Sequence, residues 1–122
     1  MTTWTAAVRY AEVDGQGVVF NSHYLLYCDE AMAQFCRERE LGGLAADVQL
    51  VTSTLTWTSG ARWGETIGVD VRCTRVGRTS FALAFDIRAD GRESCRVETT
   101  YVHVDAGGRS APLPDEVRGA LS

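Results

Sequence analysis

The chain contains no lysine, so all twelve of its cationic side chains are arginines. Arginine therefore serves every ordinary surface role here, and a cluster of arginines is weaker support for phosphate binding than it is elsewhere. The arginines between Arg62 and Arg96 are interleaved with acidic residues, a pattern typical of a solvated sheet face. With a formal net charge of −4, the chain has no overall attraction to nucleic acid or to an anionic membrane. We expect neither as a partner.

Histidine is also scarce, with only His23 and His103 present. The chain has no GxSxG motif, so a Ser-His-acid triad has no support. Neither histidine has a second histidine or a cysteine at metal-ligand spacing. The phosphate-binding patterns GxxxxGK and GxGxxG are missing as well. The sequence therefore predicts no metal and no cofactor.

The four cysteines form no CxxC pair, and no apolar run is long enough for a signal peptide or a membrane helix. These features predict free, mostly buried thiols in a reducing compartment. We therefore expect a cytoplasmic protein. A length of 122 residues suits one modest core, so residues 1–122 are expected to form a single domain.

Hydrophobic periodicity predicts a strand followed by a helix. Alternation from Thr3 to Tyr10 predicts a half-buried strand with Tyr10 on the apolar face. Apolar residues at steps of three and four then predict a long helix from about Ser22 to Arg39. We expect Asn21 or Ser22 to cap this helix and Gly42-Gly43 to end it.

The rest of the chain has period two and predicts four strands. The clearest apolar stripe consists of Phe81, Leu83, Phe85 and Ile87. Short turns at 76–78 and 89–92 predict successive antiparallel hairpins, and the tail at 111–121 predicts a short proline-bounded helix or turn. One helix on one antiparallel sheet is a two-layer α+β domain. An unpaired edge strand favours self-pairing and hence a dimer.

The stretch DGQGVVFNSHY, residues 14–24, places a carboxylate just ahead of the predicted helix. Unpaired N–H groups at a helix N-terminus can hold the oxyanion that develops on an acyl carbonyl. A nearby carboxylate can activate water or attack the carbonyl itself. Taken alone, these residues leave two readings open for Asp14: a carboxylate in an Asp-Gly turn, or a catalytic group.

The same stretch closely resembles the signature of hotdog-fold acyl-CoA thioesterases of the 4-hydroxybenzoyl-CoA thioesterase branch. The matching positions begin at Asp14 and Gly17 and continue into the helix through Asn21, Tyr24 and Asp29. Resemblance extends to Ala61-Arg-Trp-Gly-Glu65, to the 76–80 turn and to the tail, so it covers nearly the whole chain. It implies a hotdog fold in which a five-stranded antiparallel sheet wraps a long central helix.

The resemblance also implies a thioesterase that hydrolyses an acyl-CoA or acyl-carrier-protein thioester. Asp14 takes the place of the family's catalytic aspartate, as general base or nucleophile. The backbone N–H of Asn21 corresponds to the family's group that polarises the thioester carbonyl. Many relatives carry histidine at this position. The alternative is a non-catalytic hotdog module that binds acyl-CoA or acyl carrier protein. The family further implies a homodimer with sheets joined edge to edge, often doubled to a homotetramer, with active sites between subunits.

Substrate contacts follow from the same motif, which places Gly17, Val19, Tyr24 and Asp29 among the substrate-binding residues. Two alternatives remain equally open. Gly17 is needed only for the turn, and Tyr24 is simply an aromatic residue of the core. We expect Asp29 on an apolar helix stripe, where the family's aspartate receives a phenolic hydroxyl. Relatives with Glu there act on plain acyl chains, and the sequence favours a general or medium-chain acyl group over an aromatic one. Candidate CoA-binding cations, with ordinary surface charge as the alternative, are Arg62, Arg75 and Arg78.

Overall fold

The computed structural model describes residues 2–122. Within them lie five strands, β1 (Trp4–Ala7), β2 (Val48–Trp57), β3 (Thr66–Val76), β4 (Ser80–Ala89) and β5 (Arg92–His103). The helices are α1 (His23–Glu38) and α2 (Asp115–Leu121), and two short 3₁₀ helices cover Tyr10–Glu12 and Leu44–Asp47. No helix within residues 2–122 is long and apolar enough to cross a membrane.

The strands form one antiparallel sheet in the order β1-β3-β4-β5-β2. The predicted stripe of β4 is fully buried, because Phe81, Leu83, Phe85 and Ile87 each have 0% of their surface exposed. Helix α1 covers this face and contributes Tyr24 and Phe35 to the same core. The predicted five-stranded antiparallel sheet with a helix packed against it is confirmed.

Helix α1 lies within one residue of the predicted bounds at each end, but it is not long, and its ends are closed differently from the prediction. It has 16 residues, which makes it a helix of ordinary length rather than a long one. Ser22 stands at the N-cap, but its backbone is already helical and no side chain caps the helix. At the other end Glu40 adopts a φ of 58°, and the Leu41 N–H donates to the Cys36 carbonyl at 2.8 Å. The helix therefore ends in a left-handed residue before Gly42 is reached.

The first strand is shorter than predicted and leaves Tyr10 outside the core. Backbone hydrogen bonds join Val8 to Glu65 and to Gly64 at the end of β1. The chain then turns into the 3₁₀ helix at Tyr10–Glu12, and Tyr10 is 72% exposed. The expectation that Tyr10 lies on a buried strand face is wrong, because the turn rotates its side chain out of the strand's alternation.

Several other local predictions are confirmed. Asp90 and Gly91 join β4 to β5, both with positive φ (49° and 83°), as a type I′ hairpin turn requires. The tail forms α2, which begins after Pro114 and buries Val117 and Leu121. All four cysteines are free, and Cys73 alone among them is only half-buried.

Candidate functional site

The loop that carries Asp14 is a tight hairpin between the 3₁₀ helix and α1. The Asp14 N–H donates to the Val18 carbonyl at 2.9 Å, and the Gly17 N–H donates to the Asp14 carbonyl at 3.0 Å. Gly17 has a φ of 82°, a conformation that strongly favours glycine. The Asp14 carboxylate accepts from the Gln16 N–H at 2.8 Å through Oδ1. Asp14 therefore closes a turn, as the first of its two interpretations predicted.

Asp14 also lines a cavity of about 740 Å³. Gly17 and Arg62 share this cavity with Asp14, so the structure brings together three of the residues that the sequence singled out. No partner for Oδ2 of Asp14 is found among residues 2–122. Closing the turn thus occupies one carboxylate oxygen and leaves the other available to a molecule in the cavity.

The wall opposite Asp14 is the connection between β2 and β3. Val18 forms an isolated antiparallel bridge with Arg62, and the Val19 N–H donates to the Ala61 carbonyl at 2.8 Å. Val19 is 2% exposed and belongs to the core. Its place in the structure is the anchor of the Asp14 loop, beneath the cavity rather than in its lining.

Glu12, which the sequence analysis did not single out, fixes the other side of the Asp14 loop. Its side chain is almost fully buried and accepts from the Arg9 backbone N–H and the Tyr27 hydroxyl, both at 2.9 Å. The Arg9 guanidinium closes an ion pair with it, also at 2.9 Å. Burial by itself raises the pKa of a carboxyl, but the hydrogen bonds from Arg9 and Tyr27 outweigh it and hold the pKa of Glu12 below its ordinary value.

The hydroxyl of Tyr24 is buried in a hydrogen-bonded chain that joins three segments. It accepts from the Ala61 N–H at 3.0 Å and meets the Ser94 hydroxyl at 3.1 Å. Because Ser94 donates to the Ser59 carbonyl, Tyr24 is the donor to Ser94. Tyr24 is 1% exposed and is placed in the core, in keeping with the second of its two readings.

The N-terminus of α1 begins beyond the Asp14 hairpin. Val18 pairs with Asp14, and Asn21 follows three residues later, about 10 Å along an extended chain. Within residues 2–122, no hydrogen-bond partner is found for the backbone N–H of Asn21 or of Ser22. Next to them, Nδ1 of His23 is buried and also lacks a partner in that part of the chain. Asn21 itself is exposed and lies outside the lining of the cavity.

Asp29 lies farther along α1 and is not part of the lining of the Asp14 cavity. Met32 and Cys36 of its expected stripe are buried, but Asp29 is exposed, so the expected apolar surroundings are only partly present. It borders a groove between α1 and β1 that is also lined by Trp4 and Leu26. Partial burial, and then the neighbouring charge of Glu30, raise the pKa of Asp29 above its ordinary value.

The three candidate CoA-binding arginines are divided between the two ends of the sheet. Arg62 precedes β3 and lines the cavity, whereas Arg75 and Arg78 lie at the other end of that strand. Arg75 is nine residues after Thr66, the first residue of β3, which corresponds to about 30 Å along the strand. Of these three arginines, only Arg62 is close enough within one chain to act on a ligand beside Asp14.

Comparison with known proteins establishes the family. A family model described as the thioesterase-like superfamily matches residues 8–121. The chain belongs to the thioesterase-like superfamily. The match spans the Asp14 loop, the helix, four strands and nearly all of the tail, so the prediction of a thioester hydrolase is confirmed at the level of this superfamily.

Solved structures of similar proteins confirm the hotdog fold. A 1,4-dihydroxy-2-naphthoyl-CoA thioesterase from Synechocystis is 23% identical and has a TM-score of 0.86, with 98% of this chain and 94% of that chain covered. A thioesterase from Thermus thermophilus, complexed with coenzyme A and zinc, is 23% identical, with a TM-score of 0.89 and coverage of 97% and 89%. A second Thermus thermophilus protein is 28% identical, with a TM-score of 0.89 and coverage of 99% and 97%.

Proposed function

We propose that this member of the superfamily hydrolyses an acyl thioester, carried by coenzyme A or by an acyl carrier protein, to a free acid and a thiol. The observation that carries the proposal is the position of Asp14. Asp14 lines an open cavity, and its carboxylate is held by a fixed hairpin and has one unpaired oxygen within residues 2–122. The names of two similar structures, a naphthoyl-CoA thioesterase and a thioesterase with bound coenzyme A, support CoA esters as the substrate class.

In the proposed reaction, the thioester carbonyl lies between Asp14 and the start of α1. The Asn21 N–H, aided by the positive end of the helix dipole, stabilises the oxyanion as it forms. Asp14 accepts a proton from the attacking water, or attacks the carbonyl carbon itself. The tetrahedral intermediate then collapses, the C–S bond breaks, and the thiolate leaves and takes up a proton. When water is the attacking group, the free acid forms in this step; when Asp14 is the attacking group, a mixed anhydride forms, and water then hydrolyses it to the free acid and the Asp14 carboxylate. No step requires a histidine.

The test is Asp14→Asn assayed for thiol release on a panel of acyl-CoA esters. We expect kcat/KM to fall by about 10² to 10⁴, the usual contribution of a general base. Asp105→Asn is a matched control, because Asp105 closes a similar turn by accepting from the N–H of Gly107 at 2.9 Å but lies outside the cavity lining. Full turnover by Asp14→Asn on every ester would refute the mechanism.

The same panel discriminates the alternative function. If the wild-type chain binds acyl-CoA or acyl carrier protein but releases no thiol from any ester, it is a binding module. A single turnover in ¹⁸O-labelled water then separates the two roles of Asp14. Label in the Asp14 carboxylate indicates a nucleophile, because water has then attacked the aspartyl carbonyl of a mixed anhydride. Label in the released acid alone excludes that route and is the result expected of a general base.

We also propose the finer features that the resemblance implies. The chain belongs in the branch of 4-hydroxybenzoyl-CoA thioesterase, acts in the cytoplasm and assembles as a homodimer or homotetramer. Gly17 lets the backbone approach the ligand, and Asp29 contacts the acyl group across the α1–β1 groove. Val19 and Tyr24 are core residues, and they contribute to substrate binding indirectly by supporting the residues that line the site. Arg62 binds CoA phosphates within one chain, and Arg75 and Arg78 do so only for a ligand that another subunit brings to them.

A further inference from the structure

Two exposed aromatic rings stand at the edge of the Asp14 cavity. Tyr10 is 72% exposed and Trp63 is 64% exposed, and both line the cavity. Their ring centroids are 5.2 Å apart with an interplanar angle of 70°, an edge-to-face pair. Covering an aromatic ring buries a large apolar area and is stabilising. Because both rings are exposed, a bound ligand could still gain this stabilisation.

Trp63 is held by a turn that presents its ring outward. The Glu65 N–H donates to the Arg62 carbonyl at 3.1 Å, which closes a four-residue turn with Trp63 at its first corner. Gly64 at the second corner has a φ of 85°, as a type II turn requires. The Glu65 carboxylate accepts from the Arg62 N–H at 2.6 Å and from Arg92 at 2.9 Å. The backbone under the Trp63 ring is therefore fixed before any ligand arrives.

Tyr10 has an equally rigid support. It begins the 3₁₀ helix at Tyr10–Glu12, which the buried carboxylate of Glu12 ties to Arg9 and to Tyr27 of α1. Tyr10 is four residues from Asp14, so its α-carbon lies within about 15 Å of that of Asp14. Two exposed rings on fixed supports are a preorganised surface, which costs little conformational entropy when a ligand binds.

The third member of the group is Arg62, whose guanidinium makes no hydrogen bond or ion pair within residues 2–122. It lines the same cavity as the two rings and as Asp14. A guanidinium beside aromatic faces can stack on a planar ring and can also bind an anionic group attached to it. The cavity therefore combines a reactive carboxylate, a cation and two aromatic faces.

We propose that Tyr10 and Trp63, with Arg62 beside them, bind a planar aromatic ring carried by the thioester substrate. The inference rests on the proposed hydrolysis at Asp14 and names a specificity site of that same cavity. Two parts of a substrate can supply the ring: an aromatic acyl group attached to the carbonyl carbon, or the adenine of coenzyme A. Both use the same chemistry, stacking against the exposed faces of Tyr10 and Trp63.

The experiment compares wild type with Trp63→Leu on four substrates. These are benzoyl and cyclohexanecarbonyl thioesters, each carried by coenzyme A and by pantetheine, which lacks adenine. We expect a selective loss of about tenfold in kcat/KM, the usual size for one aromatic contact. Trp63→Phe is the matched control, since it keeps a ring on the same turn and should retain most of the rate.

The pattern of loss identifies the ring and tests the site. Loss confined to the benzoyl esters on both carriers supports the proposal with the acyl group as the ring. Loss confined to the two CoA esters supports it with adenine as the ring. An equal loss on all four substrates, or no loss, overturns it. A change of molecular mass in Trp63→Leu also overturns it, because the rings then belong to a subunit interface. Failure of the proposed function shows separately: the wild-type chain releases no thiol from any ester if hydrolysis is wrong, and Asp14→Asn keeps full turnover if the role of Asp14 is wrong.

Discussion

Glu12 joins three segments through one side chain and its own carbonyl. The carboxylate binds Arg9 on one side and Tyr27 of α1 on the other, while the Glu12 carbonyl accepts from the Phe20 N–H at 2.9 Å. Phe20 directly precedes Asn21, so Glu12 helps to set the separation between the Asp14 hairpin and the start of the helix. We regard it as a positioning residue, because it lies outside the lining of the Asp14 cavity and borders the α1–β1 groove with its carboxylate already paired with Arg9 and Tyr27.

Glu12→Gln should destabilise the fold at neutral pH and much less in acid. Loss of hydrogen bonds to a buried charge typically costs about 2 kcal/mol. Because the pKa of Glu12 is lowered in the folded state, its contribution is fully present above the ordinary carboxyl pKa and is lost as the pH falls through the folded value. Urea unfolding at pH 7 and pH 3 measures this difference between wild type and variant.

The control for this comparison is Glu30→Gln, an exposed glutamate on the same helix as Tyr27. Because Glu30 makes no buried hydrogen bond among residues 2–122, the unfolding midpoint of Glu30→Gln at pH 7 should change much less than that of Glu12→Gln. A gap between Glu12→Gln and wild type that is as large at pH 3 as at pH 7 would contradict the charge-based role of Glu12. The loss would then reflect packing alone.

Individual side chains show where the sequence was informative. The alternation of β4 predicted its buried residues, since every second side chain of a strand faces the same layer. The exposure of Asp29 and Tyr10 was not predictable, because it depends on where β1 stops and on what covers the helix margin. The burial of Glu12 depends on partners in other elements, which no local pattern shows. The hydrogen bonds that Arg9 and Tyr27 donate to the Glu12 carboxylate compensate for its burial.

Two turns of the sheet contain a glycine with positive φ, but only one of the two turns supports a residue of the cavity. Gly64 has a φ of 85° and Gly91 a φ of 83°, and a β-carbon at either position would meet no atom within 4 Å. Any cost of alanine is therefore backbone strain alone. The Gly64 turn carries Trp63 into the cavity, whereas the Gly91 turn joins β4 to β5 away from its lining.

Gly64→Ala and Gly91→Ala should each lower the unfolding free energy by about 1–2 kcal/mol, the cost of placing a side chain in the left-handed region. Only Gly64→Ala should also change KM for thioester substrates, because it shifts the support of Trp63. Urea midpoints and steady-state kinetics on both variants provide the measurements. Equal kinetic effects would show that the Gly64 turn has no special connection to the site.

At the level of elements, the sequence predicted which segments are helix and strand but not how the helix is closed. Period and turn residues are local properties, so β3, β4, β5 and their hairpins follow directly from them. The helix ends depend on tertiary geometry. Glu40 accepts a left-handed conformation although a glycine pair lies two residues later. The position of β2 beside β5 is likewise set by the whole sheet rather than by sequence proximity.

The whole molecule leaves β2 as the longer edge of its sheet. It has ten residues against four in β1, and Leu50 and Val51 are 50% and 60% exposed. An exposed edge with apolar side chains favours pairing with a second copy. We expect light scattering at micromolar concentration to give at least twice the chain mass of 13.3 kDa.

Leu50→Glu places a charge on this edge and should shift the assembly toward smaller species. Ala106→Glu, on the exposed loop after β5, is the control and should leave the mass unchanged. A stable wild-type monomer would contradict both the edge pairing and the predicted oligomer. An unchanged mass in Leu50→Glu would place the interface elsewhere on the surface.

The strand order also has a consequence for the newly made chain. β2 leaves the ribosome well before its partner, since Val48 pairs with His103 and Trp57 with Cys95. β1 likewise waits for β3. The β3–β4–β5 hairpins close short loops, which costs the least entropy, so we expect them to form the folding nucleus to which both outer strands are added. Until β5 has emerged, the backbone N–H and C=O groups of β2 have no strand partner and stay accessible to chaperones and to neighbouring nascent chains.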